Sequence, residues 1–351
     1  MHWNDTIHKT GKKMKNALSF DDVLLTPGYS DIASRKEINL GSMLGGIYLD
    51  LPIVSSPMDT ITEFSMATAL STSGGVGIIH RYNTIEEQSK QIHKAHAAGA
   101  KHIGAAIGVT EDYIDRAKYA VMAGASILCI DIAHGHHYLM KNALKNLNSL
   151  FEGTVHIMAG NVATLEGFND LADWGANSIR VGIGGGSICS TRIQTGHGVP
   201  TLQSVLDCAQ SDRDVPLIAD GGIKNSGDIV KAIAAGADFV MLGSMLSGTE
   251  ETPVEKNWDP NTGTWVYPYR GMASVEAQIK WRGHASSVEG VSSFVQDKGS
   301  VKNVLLDLEK GLRSGLSYSG ASNIRKFQAT AKFIRQTTSG QIESSTHINR
   351  R

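Results

Sequence analysis

One short phrase constrains this chain more than any other feature. It occurs as Ala98-Gly99-Ala100, Ala123-Gly124-Ala125, Trp174-Gly175-Ala176 and Ala235-Gly236-Ala237. A glycine there suits a helix C-cap, since it reaches a left-handed conformation without a Cβ clash, and the apolar residues that follow read as the next strand. Short apolar runs alternate with amphipathic stretches throughout. The predicted strands are Pro52–Ser55, Val76–His80, His102–Ile107, Ile127–Asp131, Val155–Ala159, Ser178–Val181, Val215–Ala219 and Phe239–Leu242. Most are continuously apolar, as in parallel strands covered on both faces. Ile85–Ala98 and Asp228–Ala235 carry helical spacing. Eight repeated strand–helix units predict an α/β chain folded as one (β/α)8 TIM barrel over residues 1–351. The competing arrangement is an open doubly wound sheet, which no Gly-x-Gly-x-x-Gly at the first unit supports.

Two stretches stand outside the repeat. Residues 247–296 hold a predicted hairpin with Asn261-Thr262-Gly263 at its turn, then a Gly/Ser-rich segment around Gly283–Ser287. An insertion after the eighth strand lies at the catalytic face of a barrel, so it is expected to form a lid or flap. The tail, 337–351, is polar and contains Gly340-Gln341-Ile342-Glu343-Ser344-Ser345.

Composition narrows the classes of function. Lys and Arg number 33 against 34 Asp and Glu, which leaves no electrostatic footprint for nucleic acid or a membrane surface. No apolar run approaches the roughly 18 residues of a membrane span. Lys9, Lys12, Lys13 and Lys15 precede no apolar core, so the N-terminus does not read as a secretory signal. The three cysteines, Cys129, Cys189 and Cys208, form neither a disulfide framework nor a CxxC pair, and a reducing, cytoplasmic setting fits. Glycine, at 38 of 351 residues, exceeds the usual fraction of about 7%, and much of it clusters at strand ends.

The densest cluster is Gly182-Ile183-Gly184-Gly185-Gly186-Ser187-Ile188-Cys189-Ser190-Thr191, directly after the sixth strand. Consecutive glycines let backbone N–H groups face an anion, and Ser187 adds a hydroxyl. A cysteine in such a loop has reason to be a nucleophile, with Thr191 placed to relay a proton. Cys129, within a strand, and Cys208, on a helical face, read as core. Asp220-Gly221-Gly222 and Gly243-Ser244 close the seventh and eighth strands, the pair of loops that often holds a phosphate in barrels. Asp220 suits sugar hydroxyls, and Asp131, beside Ala133, suits a cofactor ribose. Asn161 can bond a base or an amide. His134, His136 and His137 lack a partner that would complete a metal site. Tyr269-Arg270-Gly271-Met272 and Glu289 stand out in the lid, Glu289 either as a proton carrier beside Thr191 or as a solvated carboxylate.

These motifs resemble the IMP dehydrogenase/GMP reductase family. The likeness runs through Leu18–Pro27, Ser55-Ser56-Pro57-Met58-Asp59-Thr60, Gly74–Arg81, the Cys189 loop, the Asp220 loop and Tyr269–Met272. It implies a tetrameric barrel enzyme acting on a purine nucleoside monophosphate, in which a cysteine bonds purine C2 and hydride moves between that carbon and a nicotinamide. By this resemblance Cys189 is the nucleophile, and Thr191 and Glu289 handle protons. Ser187, Gly222, Gly243 and Ser244 hold phosphate and Asp220 the ribose. Ser56, Met58, Asn161, Tyr269, Gly271 and Met272 line the nucleotide, and Asp131, Ala133 and Gly182 the cofactor. Carbonyls of Gly184, Gly186 and Cys189 match a K⁺ site that a neighbour's tail completes. Gly185 replaces the family's common proline, which is expected to loosen the loop.

Which reaction follows is the harder question. A dehydrogenase oxidises IMP with NAD and hydrolyses the cysteine adduct; a reductase deaminates GMP and reduces the adduct with NADPH to IMP. Dehydrogenases carry an Arg-Tyr pair on a long flap, absent between Ser274 and Glu289, and usually a regulatory domain pair after the second strand, also absent. Both absences favour a GMP reductase. Gly290-Val291, Gln296-Asp297-Lys298-Gly299 and the tail favour a compact IMP dehydrogenase, and the Arg-x-Ser by which many reductases hold guanine is missing before Glu289. Arg282 can substitute for either device. Outside these lie a nucleotide-binding barrel without chemistry and a barrel isomerase or aldolase, for which no strand-end lysine is evident.

Overall fold

The computed structural model describes residues 14–344. Lys9, Lys12 and Lys13, and the tail from 345 to 351, lie outside the described residues. Eight parallel strands close into a barrel: β1 (Ile53–Ser55), β2 (Val76–Ile79), β3 (Ile103–Ile107), β4 (Ile127–Asp131), β5 (His156–Val162), β6 (Ser178–Val181), β7 (Leu217–Asp220) and β8 (Phe239–Leu242). Around it run α1 (Phe64–Thr72), α2 (Ile85–Ala97), α3 (Tyr113–Met122), α4 (Tyr138–Phe151), α5 (Leu165–Asp173), α6 (Thr201–Cys208), α7 (Ser226–Ala234) and α8 (Val301–Ser317). This is the (β/α)8 TIM barrel that the repeated units predict.

The repeated phrase caps helices. Gly99, Gly124, Gly175 and Gly236 have φ of 94°, 107°, 99° and 112°. The alanine after each donates back across the last turn: Ala100 to Ala95, Ala125 to Ala120, Ala176 to Leu171 and Ala237 to Ala232. That is the Schellman closure, and it aims the chain into the next strand.

Strand edges differ from the sequence reading where chemistry interferes. Pro52 and Pro216 donate no N–H to the ladder, so β1 and β7 start after them. β7 then runs on to Asp220, and β5 runs past Ala159 to Val162 with a bulge between Gly160 and Val162. Asn161 and Asp220 therefore belong to strands.

The core has two layers. Val54, Val76, Ile78, Ala106, Ile127, Cys129, Met158, Ile218, Phe239 and Met241 fill the barrel, plugged by Leu44 and Leu49 of a hairpin, Ser42–Leu44 with Ile47–Leu49. Alternate strand residues, such as Ile53, Ile79, Leu128, Ile157 and Val240, pack outward against the helices. Full burial of each such side chain contributes about 1.5–3 kcal/mol. Cys129 and Cys208 are buried thiols, pushed up by burial to about 11 and about 12, which leaves them protonated and inert.

After β8 the chain builds a lid. β9 (Asn257–Asp259) and β10 (Thr264–Arg270) form a hairpin whose turn holds Gly263, and β11 (Ser292–Gln296) adds to β10. A helix, Val275–Arg282, lies between β10 and β11. A short helix, Thr338–Glu343, contacts the turn Phe20–Asp22, where Gln336 bonds the backbone of Asp21 and Asp22. Among the described residues, no helix is long and apolar enough to cross a membrane.

Candidate active site

A cleft of about 550 Å³ opens at the strand C-termini, and the lid forms its far wall. Every residue singled out above for substrate, cofactor, cation or catalysis lines this one cleft. The barrel brings them together because β4 to β8 and β1 all end at its floor.

Cys189 stands half-buried on the loop after β6. Its thiol donates to Thr191 Oγ1 at 3.2 Å, and the Thr191 hydroxyl donates to Glu289 Oε2 at 2.7 Å. The loop is laced to the lid by Ser190 N to Glu289 O at 2.9 Å and Val291 N to Ile188 O at 3.0 Å. Glu289 N in turn bonds Ala273 O at 3.1 Å. Glu289 is therefore fixed over the cysteine rather than solvated. The line thiol–hydroxyl–carboxylate can carry a proton away from sulfur and return it to a leaving group.

Close packing selects the glycines. A Cβ at Gly182 would stand 2.0 Å from Asp220 O, so the β6 and β7 loops touch backbone to backbone. At Gly185, a Cβ would stand 2.3 Å from Thr201 Oγ1. Thr201 occupies the space that a side chain at 185 would need.

The floor carries an ion cluster that sequence reasoning missed. Arg180 of β6, buried, donates to Asp131 Oδ1 at 2.7 Å and to Asp220 Oδ2 at 3.0 and 3.2 Å. Burial opposes its charge, but the Asp131 and Asp220 carboxylates outweigh that and hold the guanidinium charged. Asn161 Nδ2 donates to Asp220 Oδ2 and Gly182 O, both at 2.8 Å. Its amide hydrogens thus position Asp220, and only Oδ1 faces a ligand. Arg180 was findable: it is the one charge within the run Ser178–Val181.

Hydroxyls gather on the β8 side. Tyr269 OH lies in hydrogen-bonding reach of Ser187 and Ser244, and burial pushes its phenol up, so it remains a donor. Gly243 packs against Ser56, Met58 and Tyr269, and Met272 Sδ accepts from Asp59 N at 3.2 Å. Near the mouth, Tyr82 stacks on Trp281 at 4.1 Å, with Arg81 and Arg282 over the same indole. The histidines serve local structure: His136 pairs with Asp170 at 2.8 Å and His137 caps α4. Among the described residues, no cluster of three His, Cys, Asp or Glu can hold a metal. The carbonyls of Gly184 and Cys189 accept no hydrogen bond among the described residues, and that of Gly186 accepts one, from Cys189 N at 3.1 Å. Such oxygens suit a monovalent cation.

The IMP dehydrogenase / GMP reductase domain matches residues 17–347. The inosine-5'-monophosphate dehydrogenase of Cryptosporidium parvum is 36% identical over 392 residues, covering 96% of each chain. The GMP reductase of Leishmania major is 32% identical over 480 residues, covering 95% of this chain and 97% of its own. A crystal structure of GMP reductase from Trypanosoma brucei with guanosine 5'-monophosphate superposes with a TM-score of 0.91 at 32% identity, covering 96% and 99% of the two chains. The shorter alignment here is to a dehydrogenase and the longer to a reductase. Lack of an inserted domain pair therefore does not separate the two activities.

Proposed function

Because the chain belongs to the IMP dehydrogenase / GMP reductase family, we propose that this oxidoreductase is a GMP reductase. It would convert GMP, NADPH and two protons to IMP, NADP⁺ and ammonium through a bond from Cys189 to purine C2. The observation that carries this reading is the lid. Residues 283–288 lead straight from the lid helix to Glu289, and they contain neither arginine nor tyrosine. A hydrolytic half-reaction needs a group there to activate water; a reductive one needs only the Cys189–Thr191–Glu289 line.

Cys189 Sγ adds to C2 and gives its proton through Thr191 to Glu289. The same path returns a proton to the exocyclic amine, which departs as ammonia while C2 stays on sulfur. A bound nicotinamide cofactor would supply hydride to C2. The C–S bond then breaks, its electron pair returns to sulfur, and Cys189 is reprotonated. Asp131, whose Oδ2 makes no hydrogen bond among the described residues, would hold the cofactor ribose, with Ala133 and Gly182 alongside. Ser187, Gly222, Gly243, Ser244 and Tyr269 would hold the phosphate, Asp220 the ribose, and Ser56, Met58, Asn161, Gly271 and Met272 the base. K⁺ would rest on the carbonyls of Gly184, Gly186 and Cys189. A tetramer would let a neighbour's tail reach that loop, which light scattering tests.

A second reading is a compact IMP dehydrogenase using NAD. It is favoured by Arg282 and Tyr82, which meet at the cleft mouth from different segments and together offer a water activator. Paired assays decide: NADPH consumption with GMP against NADH formation with IMP. Turnover only in the second overturns the reductase reading.

A further inference from the structure

The cradle assigned above to the phosphate contains only neutral donors: Ser187, Ser244, Tyr269 and the glycine backbone. The cleft's cations stand elsewhere. Arg180 is neutralised by Asp131 and Asp220, and Arg81 and Arg282 lie at the lid over Trp281. A phosphate carries close to two negative charges at neutral pH. Glycine amides and hydroxyls can hold such an anion by themselves, and a cation bonded to the same turn strengthens that hold.

One cation stands behind the cradle. Lys298 Nζ donates to Ser244 O at 2.8 Å and to Met245 O at 3.2 Å. It makes no ion pair among the described residues; the neighbouring carboxylate, Asp297, is taken by Lys256 at 3.0 Å. The turn it grips is tight: Leu246 N and Ser247 N both bond Gly243 O at 3.0 Å, and Ser247 Oγ adds a 2.6 Å bond to Ser244 O. With its carbonyls pulled toward Lys298, the turn presents the Ser244 side to the cleft. The lysine is itself anchored, through Lys298 N to Gly248 O at 2.7 Å and Glu250 N to Gly299 O at 3.1 Å. These bonds also end β11, the last strand of the lid.

We propose that Lys298 is a positioning residue for nucleotide binding: it fixes the Gly243–Ser244 turn and supplies, through that peptide, the positive charge that the phosphate cradle lacks. Desolvation lowers the Lys298 pKa, although much of the side chain is exposed to solvent. The inference rests on the assignment of the phosphate cradle but not on the direction of the reaction, since GMP and IMP share the phosphate.

The test is calorimetric titration of GMP and of IMP into the full chain, wild type against Lys298→Met and Lys298→Arg, with thermal unfolding of each. Loss of a charge that acts through one hydrogen-bonded peptide is expected to weaken both nucleotides about tenfold in Lys298→Met. Arginine should restore most of the affinity. In assays, KM should rise in Lys298→Met while kcat at saturation is retained. Should Lys298→Met not fold, Lys298→Gln keeps a donor without charge and should show the same loss. Unchanged affinity in a folded Lys298→Met or Lys298→Gln overturns the inference. So does a fall in kcat and unfolding temperature that arginine does not rescue, which would make the residue merely structural. A wild type that binds neither nucleotide overturns the cradle itself, and the inference with it.

Discussion

The hydroxyl of Thr191 donates to Glu289 Oε2 at 2.7 Å, joining the Cys189 loop to a lid residue 98 positions later. In the proposed relay, Thr191 would take the thiol's proton on one side and pass its own on the other. Thr191→Val and Glu289→Gln should each lower kcat by about 10²–10⁴, the usual worth of a placed proton carrier. The double variant should lose little more than either single one, because a broken relay cannot be broken twice. Additive losses in steady-state kinetics would show two independent roles.

Arg180, itself buried, holds two part-buried carboxylates at the cleft floor. Arg180→Met leaves Asp131 and Asp220 without their shared cation. The expected cost is about 3–5 kcal/mol of stability, as for other buried pairs broken on one side. Lysine, which cannot fork to both, should recover only part. Denaturant unfolding measures both variants.

Gly185 and Thr201 share one space. Gly185→Ala should cut activity, because its new carbon would stand 2.3 Å from Thr201 Oγ1, well inside contact distance. Gly185→Ala combined with Thr201→Ala removes the obstruction and should recover much of the loss. No recovery in kcat/KM would show that the glycine is needed for another reason.

His156 is buried beneath the barrel, with Nε2 2.7 Å from Ser178 Oγ, and burial lowers its pKa from 6.5 to about 4. The folded state thus keeps it neutral while the unfolded chain takes up a proton. Its contribution is fully present above pH 6.5 and is lost as pH falls from there toward about 4. The loss is on the order of 3 kcal/mol. Denaturant melts of the wild type and His156→Gln across that window should show a shallower pH slope in the variant.

The barrel was legible because its punctuation is chemical: four glycine caps and eight apolar runs fix the order of elements. Strand ends were less legible. β5 continues through Gly160 and Asn161, which local propensity reads as a turn, since the neighbouring strands pair with it regardless. β11, Ser292–Gln296, is polar and mostly exposed, so its only mark is its partner β10. The hairpin that plugs the barrel bottom was not anticipated, because Leu44 and Leu49 acquire meaning only once the barrel closes. In the site, the cysteine loop and strand-end loops announce themselves by glycine density. The partnerships do not: Arg180 meets carboxylates from β4 and β7, and Thr201 meets Gly185, through folding alone.

The central claim is a covalent bond between Cys189 and the purine. The most direct measurement is acid quench during turnover with GMP and NADPH, followed by mass analysis of the peptide spanning Cys189. The account predicts a purine nucleotide adduct on that peptide in the wild type, and neither adduct nor turnover in Cys189→Ala. An unmodified Cys189 in the steady state together with undiminished turnover by Cys189→Ala would contradict it.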